Sequence, residues 1–174
     1  HWRIIENFAS NAMRHGINVL YTPLWTPPLD TGVGLERPVC QLLDIKCNRE
    51  LIQFEFGFER LERFLELGKK LGFKKFGMSH LFSQWGAKFT PAIYAQCENT
   101  VQKIFGWHVE SGSPGYARFL AQLIPQLQAL LKRHGIGPER CYFSLSDEPY
   151  SEHLETYSKL VDTVRPLLGE YQTL

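Results

Sequence analysis

Apolar residues recur every three to four positions in several stretches of the chain, and each such stretch runs into a glycine. Within residues 2–14, Ile5, Phe8, Ala9, Ala12 and Met13 share a face, and Gly16 follows. Within 58–71 the same spacing collects Phe58, Leu61, Phe64, Leu65 and Leu71 before Gly72. The longest stretch, 115–134, carries Phe119, Leu120, Leu123, Ile124, Leu127, Leu130 and Leu131 before Gly135. A last one, 151–168, carries Leu154, Tyr157, Val161, Val164 and Leu168 before Gly169. This periodicity predicts amphipathic helices, with glycine as the stop signal. Pro125 is expected to kink or split the third, and Ser151 is a natural N-cap for the fourth.

Each of the first three helices is followed by a short strand-like run, at 18–23, 75–80 and 140–146, and the fourth leads into 171–174. The junctions echo one another, Arg14-His15-Gly16-Ile17 against Arg133-His134-Gly135-Ile136. Helix, glycine, strand, repeated, predicts an α/β fold around a parallel sheet. The segments after the strands are long. Residues 24–57 hold a rigid Thr26-Pro27-Pro28-Leu29-Asp30-Thr31-Gly32 loop and then two alternating runs, 39–47 and 51–56, around Asn48-Arg49. The runs predict a β-hairpin insertion over 37–57. Residues 81–114 form a second, irregular excursion.

Long excursions after strands and short links after helices are what a barrel with a working carboxyl face requires. A complete eight-stranded barrel takes about 250 residues. The chain therefore reads as one α/β domain over 1–174, about half of a (β/α)8 TIM-type barrel with roughly three to four βα units. An open doubly wound sheet is the other arrangement, but no glycine-rich phosphate loop follows any strand. The chain starts at His1 already inside a helical pattern and reads as a piece of a longer protein. Exposed barrel edges in such a piece would invite self-association.

Composition removes some functions. A net charge of +1 gives no electrostatic reason to expect nucleic acid or an anionic membrane as partner. No apolar stretch approaches the ~20 residues needed to span a bilayer, and no secretory signal is visible, so the compartment stays open. Cys40, Cys47, Cys97 and Cys141 form no Cys-x-x-Cys pair and have no histidine at zinc-finger spacing. Cys40 and Cys47 could face each other across the hairpin; the favoured reading makes them small apolar fillers.

The third strand-like run ends as Ser144-Leu145-Ser146-Asp147-Glu148-Pro149. Carboxylates are costly to bury, so a strand that delivers two of them to its carboxyl end marks a place for chemistry. An acidic pair also favours the amino terminus of a following helix, which is the structural alternative. Strand alternation puts Ser144, Ser146 and Glu148 on one face and Phe143, Leu145 and Asp147 on the other. Both acids can serve one site only if the strand bends before Pro149.

Three segments together resemble glycoside hydrolase family 123: Leu20-Tyr21-Thr22-Pro23-Leu24-Trp25-Thr26-Pro27-Pro28-Leu29-Asp30-Thr31; Met78-Ser79-His80-Leu81-Phe82-Ser83-Gln84-Trp85-Gly86-Ala87-Lys88 with Pro91; and Ser144 to Pro149. The resemblance covers most of the chain. It implies a barrel preceded by a β-sandwich domain. It also implies exo-acting, retaining removal of a β-linked N-acetylhexosamine, N-acetylgalactosamine in particular, from a glycan. The substrate's own 2-acetamido group would be the nucleophile. The family's acid pair falls on Asp147 and Glu148, with no metal or cofactor required.

On this reading Glu148 is the acid and then the base, kept protonated by burial and by crowding from Asp147, while Asp147 orients the acetamide. Tyr21, Trp25, His80, Trp85 and Tyr150 are candidate substrate-binding residues, with Trp107 a weaker one, because aromatic faces pack against pyranose C–H surfaces. For each aromatic the alternative is core packing, and for His80 a backbone-satisfied structural role. Competing functions are a glycosidase for another sugar, a non-catalytic carbohydrate-binding protein, and a fragment that is inactive alone.

Overall fold

The structure, a computed structural model, describes residues 1–29, 31–84 and 86–174. In chain order it contains α1 (Trp2–Arg14), β1 (Val19–Thr22), β2 (Asp44–Cys47), β3 (Phe54–Gly57), α2 (Glu59–Leu71), β4 (Lys75–Met78), β5 (Ile93–Cys97), β6 (Thr100–Phe105), α3 (Pro114–Arg133), β7 (Cys141–Phe143), α4 (Leu154–Leu168) and β8 (Gln172–Thr173). A 3-10 turn, Ser151–His153, leads into α4. Two of the helix termini follow directly from the sequence. Gly72 ends α2 at φ +94°, a conformation costly for a residue with a Cβ. Ser113 caps α3 by accepting the Tyr116 N–H, with Pro114 as the first helical residue.

The protein is α/β, with two four-stranded sheets. One is wholly parallel, in the order β1-β4-β7-β8, so successive strands lie side by side with a helix between each pair. Leu20 and Phe76 on one face of this sheet pack at Gly68 of α2, where an added Cβ would come within 2.7 and 2.8 Å of them. Tyr21, Gly77 and Tyr142 are register partners and share the opposite face. The Tyr142 ring lies over Gly77, so closely that a Cβ there would meet its hydroxyl at 2.7 Å.

The second sheet, in the order β3-β2-β5-β6, consists of two antiparallel hairpins joined by a parallel β2–β5 pair. One hairpin comes from the excursion after β1, the other from the excursion after β4. Its inner side, with Phe54, Ile93, Ala95 and Phe105, packs against Tyr116, Phe119 and Leu123 of α3. The rings interlock, mostly edge to face: Phe54 on Phe119 at 5.2 Å, Phe105 on Tyr116 at 5.0 Å, Trp25 on Phe119 at 6.1 Å.

Several expectations are corrected here. Residues 81–114 are not wholly irregular; they contain β5 and β6. Cys47 is neither a free filler nor the partner of Cys40. It faces Cys97 across the β2–β5 pair, their Cα atoms 4.9 Å apart, and the two form a disulfide, while Cys40 and Cys141 are free. Pro125 does not split α3, which runs unbroken to Arg133. Pro125 lies on the exposed side, as does Ala121, so the carbonyl that loses its N–H partner is open to water. Ser151 is not the cap of α4, since it opens the 3-10 turn that precedes it.

Candidate active site

Candidate residues from the first three parallel strands gather at the carboxyl ends of β1, β4 and β7. Tyr21 is in β1; His80 follows β4 by two residues; Asp147 follows β7 by four. The strand ends are tied together beyond the formal ladder. Ser79 donates its hydroxyl to the Thr22 carbonyl at 3.1 Å and accepts the Leu24 N–H at 2.7 Å. Leu81 and Phe82 N–H groups donate to the Ser144 and Leu145 carbonyls at 2.9 and 2.8 Å. Two buried ring donors hold the backbone behind His80: the Trp25 indole N–H donates to the His80 carbonyl at 2.9 Å, and the Tyr116 hydroxyl to that of Leu81.

The chain bends at Asp147 and Glu148, and Glu148 sits at φ +47°. That left-handed conformation costs a side-chain-bearing residue on the order of 1 kcal/mol. Phe143 and Leu145 remain buried, while Asp147 lies within electrostatic reach of β1 and β4, its charge acting on both Tyr21 and His80. Ser146, one residue earlier, is nearly buried and donates to the Ser83 carbonyl at 2.7 Å, which anchors the bend to the loop after β4.

Tyr21 and His80 meet through the phenol oxygen and Nδ1 at 3.2 Å. Burial pushes the His80 pKa below its ordinary value, and the Asp147 carboxylate opposes this. A neutral His80 accepts the Tyr21 O–H at Nδ1 and carries its own hydrogen on Nε2. Burial raises the Tyr21 pKa; hydrogen bonding around His80 and Ser79 pulls it down, and the Asp147 charge raises it further. Tyr21 is therefore a proton donor at neutral pH.

The other candidates are distributed differently. Glu148 is exposed rather than buried. Tyr150 is 57% exposed, its ring 5.7 Å from that of His153. Trp25 is completely buried, so the expectation that its face meets a sugar is corrected: the indole braces the backbone of His80 instead. Trp107 is half-buried, edge-on to Phe89, and donates to the Leu35 carbonyl at 2.8 Å. Trp85 and Asp30 lie outside the described residues. Sequence reasoning missed His153, which stands against Gly86, and a hollow of about 530 Å³ lined by Gly86, Lys88, Ser111, His153 and Lys159. The Ser-Asp-Glu-Pro-Tyr-Ser-Glu-His run contained the signal, a histidine three residues after Tyr150 at the entry to a helix.

The model of the family described as "Glycoside hydrolase 123, catalytic domain" matches residues 1–173. The chain belongs to that family. It is a glycosidase domain, and its substrates are glycans. Comparison with curated proteins gives no match. Family 123 membership and the bend at Asp147-Glu148 bear on the same chemistry, since glycosidic cleavage commonly uses a pair of carboxyl groups.

Proposed function

We propose that the domain is the first part of a (β/α)8 barrel and acts as an exo-acting, retaining β-N-acetylhexosaminidase of the N-acetylgalactosaminidase type, by substrate-assisted catalysis. One observation supports the reading: the Asp147 charge acts on both Tyr21 and His80, and these three residues belong to the carboxyl ends of consecutive parallel strands. Active sites of such barrels lie at that end. Ile4 and Phe8 on α1, and Leu174 after β8, expose large apolar surface where further barrel elements, or a second copy, would pack.

Glu148 donates its proton to the glycosidic oxygen as the bond to the anomeric carbon breaks, and a seated sugar supplies the cover that the exposed carboxyl lacks. The acetamido oxygen attacks the anomeric carbon, giving an oxazolinium. Asp147 accepts the acetamido N–H, steers the carbonyl oxygen and balances the positive charge. Glu148, now a carboxylate, takes a proton from water, which opens the oxazolinium with overall retention. Tyr21, His80 and Tyr150 line the sugar site. The test compares a β-linked aryl N-acetylgalactosaminide with its 2-hydroxy counterpart. Hydrolysis confined to the acetamido sugar is the expected result, and equal hydrolysis overturns the mechanism.

A further inference from the structure

We infer that His153 is a positioning residue for the acid pair, acting through the backbone of Tyr150 and through Gly86; the inference rests on the proposed roles of Asp147 and Glu148. The acid pair lies between two anchor points on a single loop. Upstream, the Ser146 hydroxyl donates to the Ser83 carbonyl at 2.7 Å. Downstream, the His153 ring stands against Gly86, where a Cβ would come within 2.6 Å of its Cγ and 2.7 Å of its Cδ2. Ser83 is bonded twice to Phe89: its N–H donates to the Phe89 carbonyl at 2.8 Å and its hydroxyl accepts the Phe89 N–H at 3.0 Å.

His153 is also locked to the segment that carries the acids. Its N–H donates to the Tyr150 carbonyl at 2.9 Å, and its Nδ1 accepts the Tyr150 N–H at 3.2 Å. This reciprocal pair works as a capping box, with imidazole in place of a carboxamide. Because Nδ1 accepts, the ring hydrogen is on Nε2, which faces the Glu152 carboxylate at 3.6 Å. A single ring thus joins two turns with left-handed backbone, unfavourable at Glu148 (φ +47°) on one side and at Ala87 (φ +57°) on the other, where Gly86 at +94° takes it freely. Ala87 is buried, and its carbonyl accepts the Ser111 hydroxyl, so the second turn is fixed from behind. Such conformations persist only where their surroundings over-determine them. Gly86 fits this account twice, through its φ and through the space the ring takes.

The experiment uses the full-length protein and an aryl N-acetyl-β-galactosaminide, with His153→Ala, His153→Asn, His153→Leu and Glu148→Gln variants. Asn can place its Oδ1 where Nδ1 stands; Leu keeps bulk against Gly86 and offers no acceptor. The expected result is a fall in kcat of about tenfold or more for His153→Ala and His153→Leu, KM changing less, with His153→Asn within about threefold of wild type. Amide hydrogen exchange of Tyr150 gives a readout independent of turnover: protected in wild type and His153→Asn, fast in the other two. Equal kcat and equal Tyr150 protection in the Asn and Leu variants overturn the inference, and so does wild-type kcat in His153→Ala. If His153→Ala does not fold, the Asn–Leu contrast decides. Turnover retained by Glu148→Gln overturns the acid assignment instead, and the exchange data then still report whether His153 fixes the turn.

Discussion

The two sheets of this domain are held together by different forces. The disulfide-bonded sheet leans on interlocked rings, Phe54, Phe105, Tyr116 and Phe119, and a covalent bond crosses it at Cys47–Cys97. The parallel sheet ends in a rim held by single hydroxyls and ring nitrogens: Ser79, Ser83, Ser146, Trp25 and His153. Its turns carry the left-handed residues Gly86, Ala87 and Glu148. Aromatic packing tolerates small shifts, whereas a hydrogen bond fixes a direction. On the proposed mechanism two carboxyl groups must be aimed, and the rim that carries them uses the second kind of contact, backed by the first.

The largest effect expected is at the rim. Glu148→Gln should lower kcat by about a thousandfold, the scale of a lost general acid, with thermal stability almost unchanged. Steady-state kinetics beside a melting curve checks this, and a comparable loss of stability would show that the rim is structural rather than chemical. Next, replacing Cys47 and Cys97 by serine opens a loop with a sequence separation of 50 and should cost about 3–4 kcal/mol in urea unfolding. If it does not, the rings alone hold that sheet and the contrast drawn above is too sharp.

Trp25→Phe tests where the two regions meet. It keeps the packing on Phe119 but leaves the His80 carbonyl without its indole donor, an expected loss of about 1–2 kcal/mol. A smaller effect concerns pH. The His80 pKa is depressed in the folded protein, so the unfolded chain binds the proton more readily. Stability should therefore fall as pH drops through the ordinary histidine value of about 6.5 and level off below the depressed folded value; above about 6.5 the deficit is absent. Asp147→Asn removes the opposing charge and should move the His80 titration lower, read by NMR of its ring proton. An upward or unchanged titration would remove Asp147 from the neighbourhood of His80. Last, Cys40 is exposed and should alkylate in the native state, while Cys141 should not, since burial pushes its thiol up to about 12.

The sequence disclosed what is local. Helices were legible because a 3.6-residue repeat and a terminal glycine are written side by side, as at Leu61, Phe64, Leu65 and Gly72. Asp147 and Glu148 stood out because burial of carboxylates is costly, although their relative orientation was not legible. It depends on a left-handed backbone at Glu148, a residue that does not announce one as glycine would. The disulfide was hidden for a different reason: Cys97 reaches Cys47 only through a parallel pairing between two separate excursions. The hairpin of β5 and β6 escaped notice because its turn, at Glu98-Asn99, places Glu98 at φ +55° without a glycine. Trp25 looked like a sugar platform because it follows a strand; its burial beneath α3 is a tertiary fact.

The parallel pairing of β2 with β5 has a bearing on how this rim can vary. The two strands belong to excursions that leave the parallel sheet at different places, yet they share a register and a covalent link. Lengthening one excursion would slide its strand against the other and displace both ends of the rim together. Loops of a scaffold are usually free to diversify one at a time. Here two of them inherit a common ruler, so substrate range on this side of the domain is expected to change through exchanged side chains rather than through altered loop length.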